Sequence, residues 1–203
     1  VKQLRLWNKL ANCQTLIRKE RHCILLPDDA PHAVLKYYGI SPWEIEVAYS
    51  YLHSRFKIVQ NEIEPDDPDF ASVLHMEIPL EFSEEFFEWF DFRRWENLKA
   101  LLKEMKRRRG RGNALKIVMS FAGEPAIKFI LDASDKQWYD NALEKMDFVL
   151  ELLPYHLSPE NLPQNVSAIA YKFDEGAKRW RLYEAHVGAR RYTLTHNAWR
   201  ASA

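Results

Sequence analysis

The chain has 203 residues, 47% hydrophobic and 13% aromatic, with 29 Lys and Arg against 29 Asp and Glu. That composition can build a sizeable core and predicts a folded, soluble protein. No run approaches the roughly 18 apolar residues of a membrane span, and VKQLRLWNKL is too polar for a signal-peptide core, so no membrane partner and a cytoplasmic location are expected.

Residues 1–41 read as a helical N-terminal segment, with Leu4, Trp7, Leu10 and Ala11 at helical spacing and Asp28 to Pro31 as a turn. Cys13 and Cys23 lie here without CxxC or zinc-type spacing, which favours reduced thiols over a bridge. Ser41, Pro42 and Glu44 form an N-cap pattern, so WEIEVAYSYLHSR should begin as a helix. RFKIVQNEI and SVLHMEIPL read as strands separated by the PDDPD loop, and Ser83 with Glu84 to Phe87 opens a short helix or turn.

Trp95, Leu98, Leu101, Leu102 and Met105 define a helix with one buried stripe. Lys99, Lys103 and Lys106 are expected together beside that stripe, on a face the core does not need. RRRGRG ends the helix, and capping accounts for one or two of Arg107, Arg108, Arg109 and Arg111 but not for all four. ALKIVMSF and AIKFILDA then bracket GEP as a hairpin, and residues 137–153 show helical spacing again. Pro154, Pro159 and Pro163 mark residues 154–163 as a linker between an α+β domain over 42–153 and a β-meander over 164–203. The expected class is α+β, an antiparallel sheet with amphipathic helices.

Charge is sorted along the chain. Glu62 to Asp91 holds eleven acids and no Lys or Arg, whereas Arg93 to Lys116 is strongly basic. The two blocks either form separate charged surfaces that steer a polyanion or pair with each other.

The order DDPDFASVLHMEIPLEFSEEFF, FDFRRWENLKALLKEMKRRRGRG, NALKIVMSFAGEPAIKFILD, over about residues 56–132, resembles the first domain of DNA sliding clamps of the proliferating-cell-nuclear-antigen type. The resemblance implies a clamp-like replication accessory protein, a homo-oligomeric ring around duplex DNA, with Lys99, Lys103, Lys106 and Arg107 lining the pore. A line of cations one turn apart suits such sequence-neutral phosphate binding, and Arg108, Arg109 and Arg111 extend it. The competing expectation is a non-enzymatic adaptor, monomeric or dimeric, that binds protein partners or nucleic acid through segregated acidic and basic faces.

Other chemistries leave little trace. PDDPD lacks the Glu-x-Lys of a nuclease strand, the seven histidines include no HExxH or HxH pair, and neither a P-loop nor a GxSxG elbow occurs. No catalytic residue, metal or cofactor is therefore expected. Trp180 and Tyr183, interleaved with Arg179, Arg181, Arg190 and Arg191, fit either a base-stacking platform or, as the alternation favours, core packing.

Overall fold

The computed structural model describes residues 30–65, 67–196 and 198–202. Within them β1 (His32–Tyr38), α1 (Pro42–Leu52) and β2 (Lys57–Glu62) are followed by β3 (Val73–Ile78), α2 (Glu84–Phe90), α3 (Phe92–Arg109) and β4 (Lys116–Phe121). Next come β5 (Ala126–Leu131), α4 (Lys136–Glu144) and α5 (Val149–His156), then β6 (Ala168–Asp174), β7 (Arg179–Val187), β8 (Arg190–Thr195) and β9 (Ala198–Ser202).

The strands form one nine-stranded sheet in the order β2-β1-β3-β4-β5-β6-β7-β8-β9. The class is α+β, but the expected antiparallel sheet is mixed. β1 and β2, β3 and β4, and β5 and β6 are parallel pairs, while the other neighbours run antiparallel. Alternation in a strand reports which face is buried and not which way its neighbour runs. Direction is set by the connection, since parallel neighbours need a long crossover, and each parallel pair here is bridged by helix.

The helices bury one face of the sheet. On β1 and β3 to β6 the inward residues alternate with outward ones: Leu35, Leu74, Met76, Ile117, Met119, Phe129 and Tyr171 are all essentially inaccessible. A chain of aromatic edges fills the space between this face and α2 and α3. Phe86 stacks on Phe90 and meets Phe87, Trp95 and Phe121 edge-on, at centroid separations of 5.1 to 6.2 Å. Each such pair contributes about 0.5–1.5 kcal/mol beyond its buried area.

The local chemistry explains where elements start and turn. Ser41 and Glu44 form a reciprocal capping box at α1, with Pro42 in the first turn. Ser83 caps α2 through the Phe86 amide, and Asp91, at φ 76°, ends α2 and caps α3 through the Arg93 amide at 2.9 Å. Gly39 also has a positive φ, 62°, and a Cβ there would lie 2.3 Å from the Ala71 carbonyl oxygen, so a side chain is excluded.

Several boundaries differ from expectation. Residues 1–29, with Cys13, Cys23 and most of the expected N-terminal helical segment, lie outside the described residues, and residues 32–38 form β1. The helical pattern at 137–153 divides into α4 and α5. The break presents Asp147 to the indole of Trp95, which donates to it at 2.6 Å, and to Lys99. Residues 154–163 carry the end of α5 and a run of turns. There Leu157 and Leu162 pack on the core, and Trp199 Nε1 of β9 donates to the Asn161 carbonyl at 2.8 Å. The proline-rich stretch is a connection inside the compact unit Pro31–Ala203, whose β6 is hydrogen-bonded directly to β5. No described helix is long and apolar enough to cross a membrane.

Candidate nucleic-acid interface

The stripe on α3 is as expected, with Trp95, Leu98, Leu101, Leu102 and Met105 all buried. The lysines are not arranged as a free line. Positions 95, 99, 102 and 106 follow one another at four-, three- and four-residue steps, so Lys99 and Lys106 share the seam of Trp95 and Leu102. Lys99 is 2% exposed and Lys106 is 0% exposed.

Burial is tolerated at Lys99 because its ammonium lies 2.8 Å from Asp147 Oδ2 and 2.7 Å from Glu96 Oε1. Burial lowers its pKa, but the two carboxylates outweigh it and hold the amine above its ordinary 10.5. Lys106 has a different setting. Its Nζ donates to the Gly112 carbonyl at 2.8 Å and sits 5.6 Å from the centre of the Tyr139 ring. There burial lowers the pKa, against the smaller opposing pull of Asp135. Lys106 thus fastens the RRRGRG turn, satisfying a carbonyl just beyond the helix end.

The remaining cations of this stretch are largely engaged. Lys103 pairs with Glu144 of α4. Arg107 Nε and Nη2 each donate to Glu104 at 2.6 Å, and Arg108 Nε donates to it at 2.9 Å. The Arg107 hydrogen bonds, reinforced by Arg108 against partial burial, bring the Glu104 pKa down to about 2. The Arg108 guanidinium also lies 4.7 Å from the centre of the Trp43 ring.

Arg109 is the most connected of the group. It donates to Glu44 through Nη1 at 2.9 Å and Nη2 at 2.7 Å, and to Ser72 Oγ, the Met105 carbonyl and the Gly39 carbonyl. Burial raises the Glu44 pKa, but Arg109 and Ser41 outweigh that and hold the carboxyl below its ordinary range. The pair locks the end of α3 to the start of α1. Arg111 is exposed and, with Arg107 and Lys136, borders an open cleft of about 600 Å³ that also contains Asp135 and Asp140.

The acids that pair with the cations of α3 are Glu44, Glu96, Glu104, Glu144 and Asp147, joined from the acidic block by Asp91 alone, 4.0 Å from Arg94. From that block Asp67 pairs with Lys116 and Glu77 with Lys36, each at 2.6 Å. The two charge blocks do not simply cancel each other.

The sheet face opposite the helices carries a second set of cations, of which the sequence pattern singled out only Lys116, Arg181 and Arg191. Following the ladder registers, this face receives Lys57 from β2, Lys36 from β1, Lys116 from β4 and Lys128 from β5. It receives Lys172 from β6, Arg181 from β7, Arg191 from β8 and Arg200 from β9. Every strand but β3 contributes at least one, β7 adding Arg179 opposite Asp174, and β3 contributes His75 and Glu77. Lys172 pairs with Asp132 at 2.7 Å and Arg181 with Asp174 at 3.1 Å. Lys128, Arg191 and Arg200 form no ion pair with a described residue. The signal was present in HAVLKYY, FKIVQ, ALKIV, AIKFI, AYKFD and AWRA, a single cation at the non-core parity of each strand.

Of the two aromatic residues flanked by arginines, Trp180 is core, 3% exposed, with its indole donating to the Ala142 carbonyl at 2.8 Å. Tyr183 stands on the open face, 38% exposed. Among the described residues no cluster of His, Cys, Asp and Glu is placed to hold a metal ion. No protein-family model matches the chain, and no curated protein or solved structure is significantly similar to it.

Proposed function

We propose that the chain is a binding protein rather than an enzyme, and that it holds the phosphate backbone of DNA without sequence preference on the open face of its sheet. The observation that carries this reading is the cation on each strand but β3, with Lys128, Arg191 and Arg200 unpaired among the described residues. Strands lie about 4.8 Å apart, so cations recur across the face. Lys36, Lys116, Lys172 and Arg181 are held by carboxylates, and Lys128, Arg191 and Arg200 are the ones that would neutralise phosphates without base-specific demand. A clamp-like ring would add closure to the same chemistry, through pairing of copies at the outer strands β2 and β9.

The test is a salt titration of duplex binding with two charge-reversed variants. Lys128→Glu with Arg191→Glu and Arg200→Glu should abolish binding. Arg107→Glu with Arg111→Glu, both exposed on or beside α3, should leave most of it. The reverse ranking would move the interface to the helix, and sedimentation of the free protein reports whether a ring forms.

A second reading, a protein-binding adaptor, is favoured by one separate observation. Phe148, Leu152 and Tyr155 are 60%, 41% and 68% exposed at four- and three-residue steps, forming an apolar stripe along α5. Changing Phe148 and Leu152 to Ser should remove protein association on this reading and leave DNA binding unchanged.

A further inference from the structure

We infer that the open face prefers single-stranded nucleic acid, with a base stacked on Tyr183; this rests on the phosphate-binding reading of the same face. The residue owes its position to an irregularity in β7. Tyr171 lies opposite Leu182 and Ala170 opposite Glu184, so Tyr183 is the extra residue of a β-bulge. Bulges re-aim side chains, and here the ring is delivered to the side away from the helices. Its position there is fixed by Lys172, whose ammonium lies 5.5 Å from the ring centre.

The surroundings suit a flat ligand. Across the ladder from the bulge, β6 presents Ala168 and Ala170 on this face, and β5 presents Ala126 opposite Ala168. Ala170 is 2% exposed, covered by the longer side chains around it, and the half-buried Ala168 and Ala126 continue a low surface away from the ring. Ala170 has Lys128 opposite it on one side and Glu184, bound to His186, on the other, while Lys172, paired with Asp132, stands at the ring itself. An exposed aromatic face with the ammonium of Lys128 nearby is the combination that stacks an unpaired base and holds its phosphate without reading its edges. Bases in a duplex are stacked on each other and cannot present a face to Tyr183. The backbone cations alone would then serve a duplex, and the ring adds affinity only for an open strand.

Fluorescence anisotropy with labelled oligothymidylate, oligouridylate and a duplex of equal length tests this on the full chain. Single strands should bind the unaltered protein more tightly than the duplex. Tyr183→Ala should weaken single-strand binding about tenfold, the effect of one stacked base, while leaving duplex affinity and the salt slope unchanged. Tyr183→Phe, which keeps the ring, should restore it. An unchanged affinity in Tyr183→Ala, or a duplex bound as tightly as the single strands, overturns the stacking inference. If charge reversal at Lys128, Arg191 and Arg200 still removes binding in that case, the phosphate-binding reading survives alone. If no nucleic acid binds, both fall.

Discussion

Helix α3 and the outer strands of the sheet are both rich in Lys and Arg, yet the two regions use those side chains in opposite ways. On α3 the cations are brought together by a seam that also carries the core, and the fold supplies a carboxylate or a carbonyl for nearly every one. On β8 and β9 Arg191 and Arg200 stand at the parity the core does not use and have no carboxylate partner among the described residues. Density of positive charge along a sequence therefore does not measure positive charge at a surface. What separates the two cases is whether the residue's position in its element faces the core.

The sharpest break of that comparison is Arg109→Ala. Glu44 is 3% exposed, and removing the guanidinium leaves its carboxylate buried without a counter-charge, which costs about 3–5 kcal/mol. Urea denaturation should show this loss, and Arg191→Ala on the sheet should unfold at the same midpoint as the unaltered protein. Equal destabilisation by the two changes would mean that the outer-strand arginines are as structural as those of α3.

Acid and base titration of stability sharpens the same contrast. Glu44 and Glu104 have folded pKa values below their ordinary 4.5, so their contribution is complete above that value and is lost as the pH falls through the folded values, about 2 for Glu104. Lys99 is raised above 10.5, so its contribution is complete below that value and disappears as the pH rises beyond it. Lys106 has the opposite sign, since its charged form is disfavoured in the folded state and that cost is relieved as the pH rises toward 10.5. Thermal unfolding across pH should therefore show an acid loss that Glu104→Gln reduces. In Lys99→Met the loss of stability above pH 10.5 should diminish, whereas an unchanged alkaline limb would show that Lys99 contributes nothing there.

Much of this architecture was legible from spacing alone. The capping pattern at Ser41 and the stripe from Trp95 to Met105 follow from side-chain chemistry that acts over a few residues, and the structure reproduces both. Strand direction was not legible, because it depends on which segments cross over, a property of connections tens of residues long. The fate of Lys99 was hidden for a related reason. Its place on the wheel could be read, but the carboxylate that makes its burial possible belongs to Asp147, 48 residues away and turned inward by a break between two helices that resembled one. The open-face cations could have been read, since their parity is explicit in each strand, but apart from Arg181 and Arg191, which lie in short basic clusters, they are isolated residues on separate strands.

The smallest expected effect is also the most discriminating between the regions. Each phosphate that the protein ceases to neutralise should lower the slope of log affinity against log salt by about 0.9 for a duplex. Arg200→Ala, on the outermost strand, should free about one such phosphate and leave the fold untouched, because its side chain is exposed and makes no described ion pair. Arg108→Ala on α3 should leave the slope unchanged, since its charge is already shared with Glu104 and its guanidinium lies over Trp43. A fall in slope for Arg108→Ala and none for Arg200→Ala would return the interface to the helix, with the Glu104 contacts exchanged for phosphate on binding.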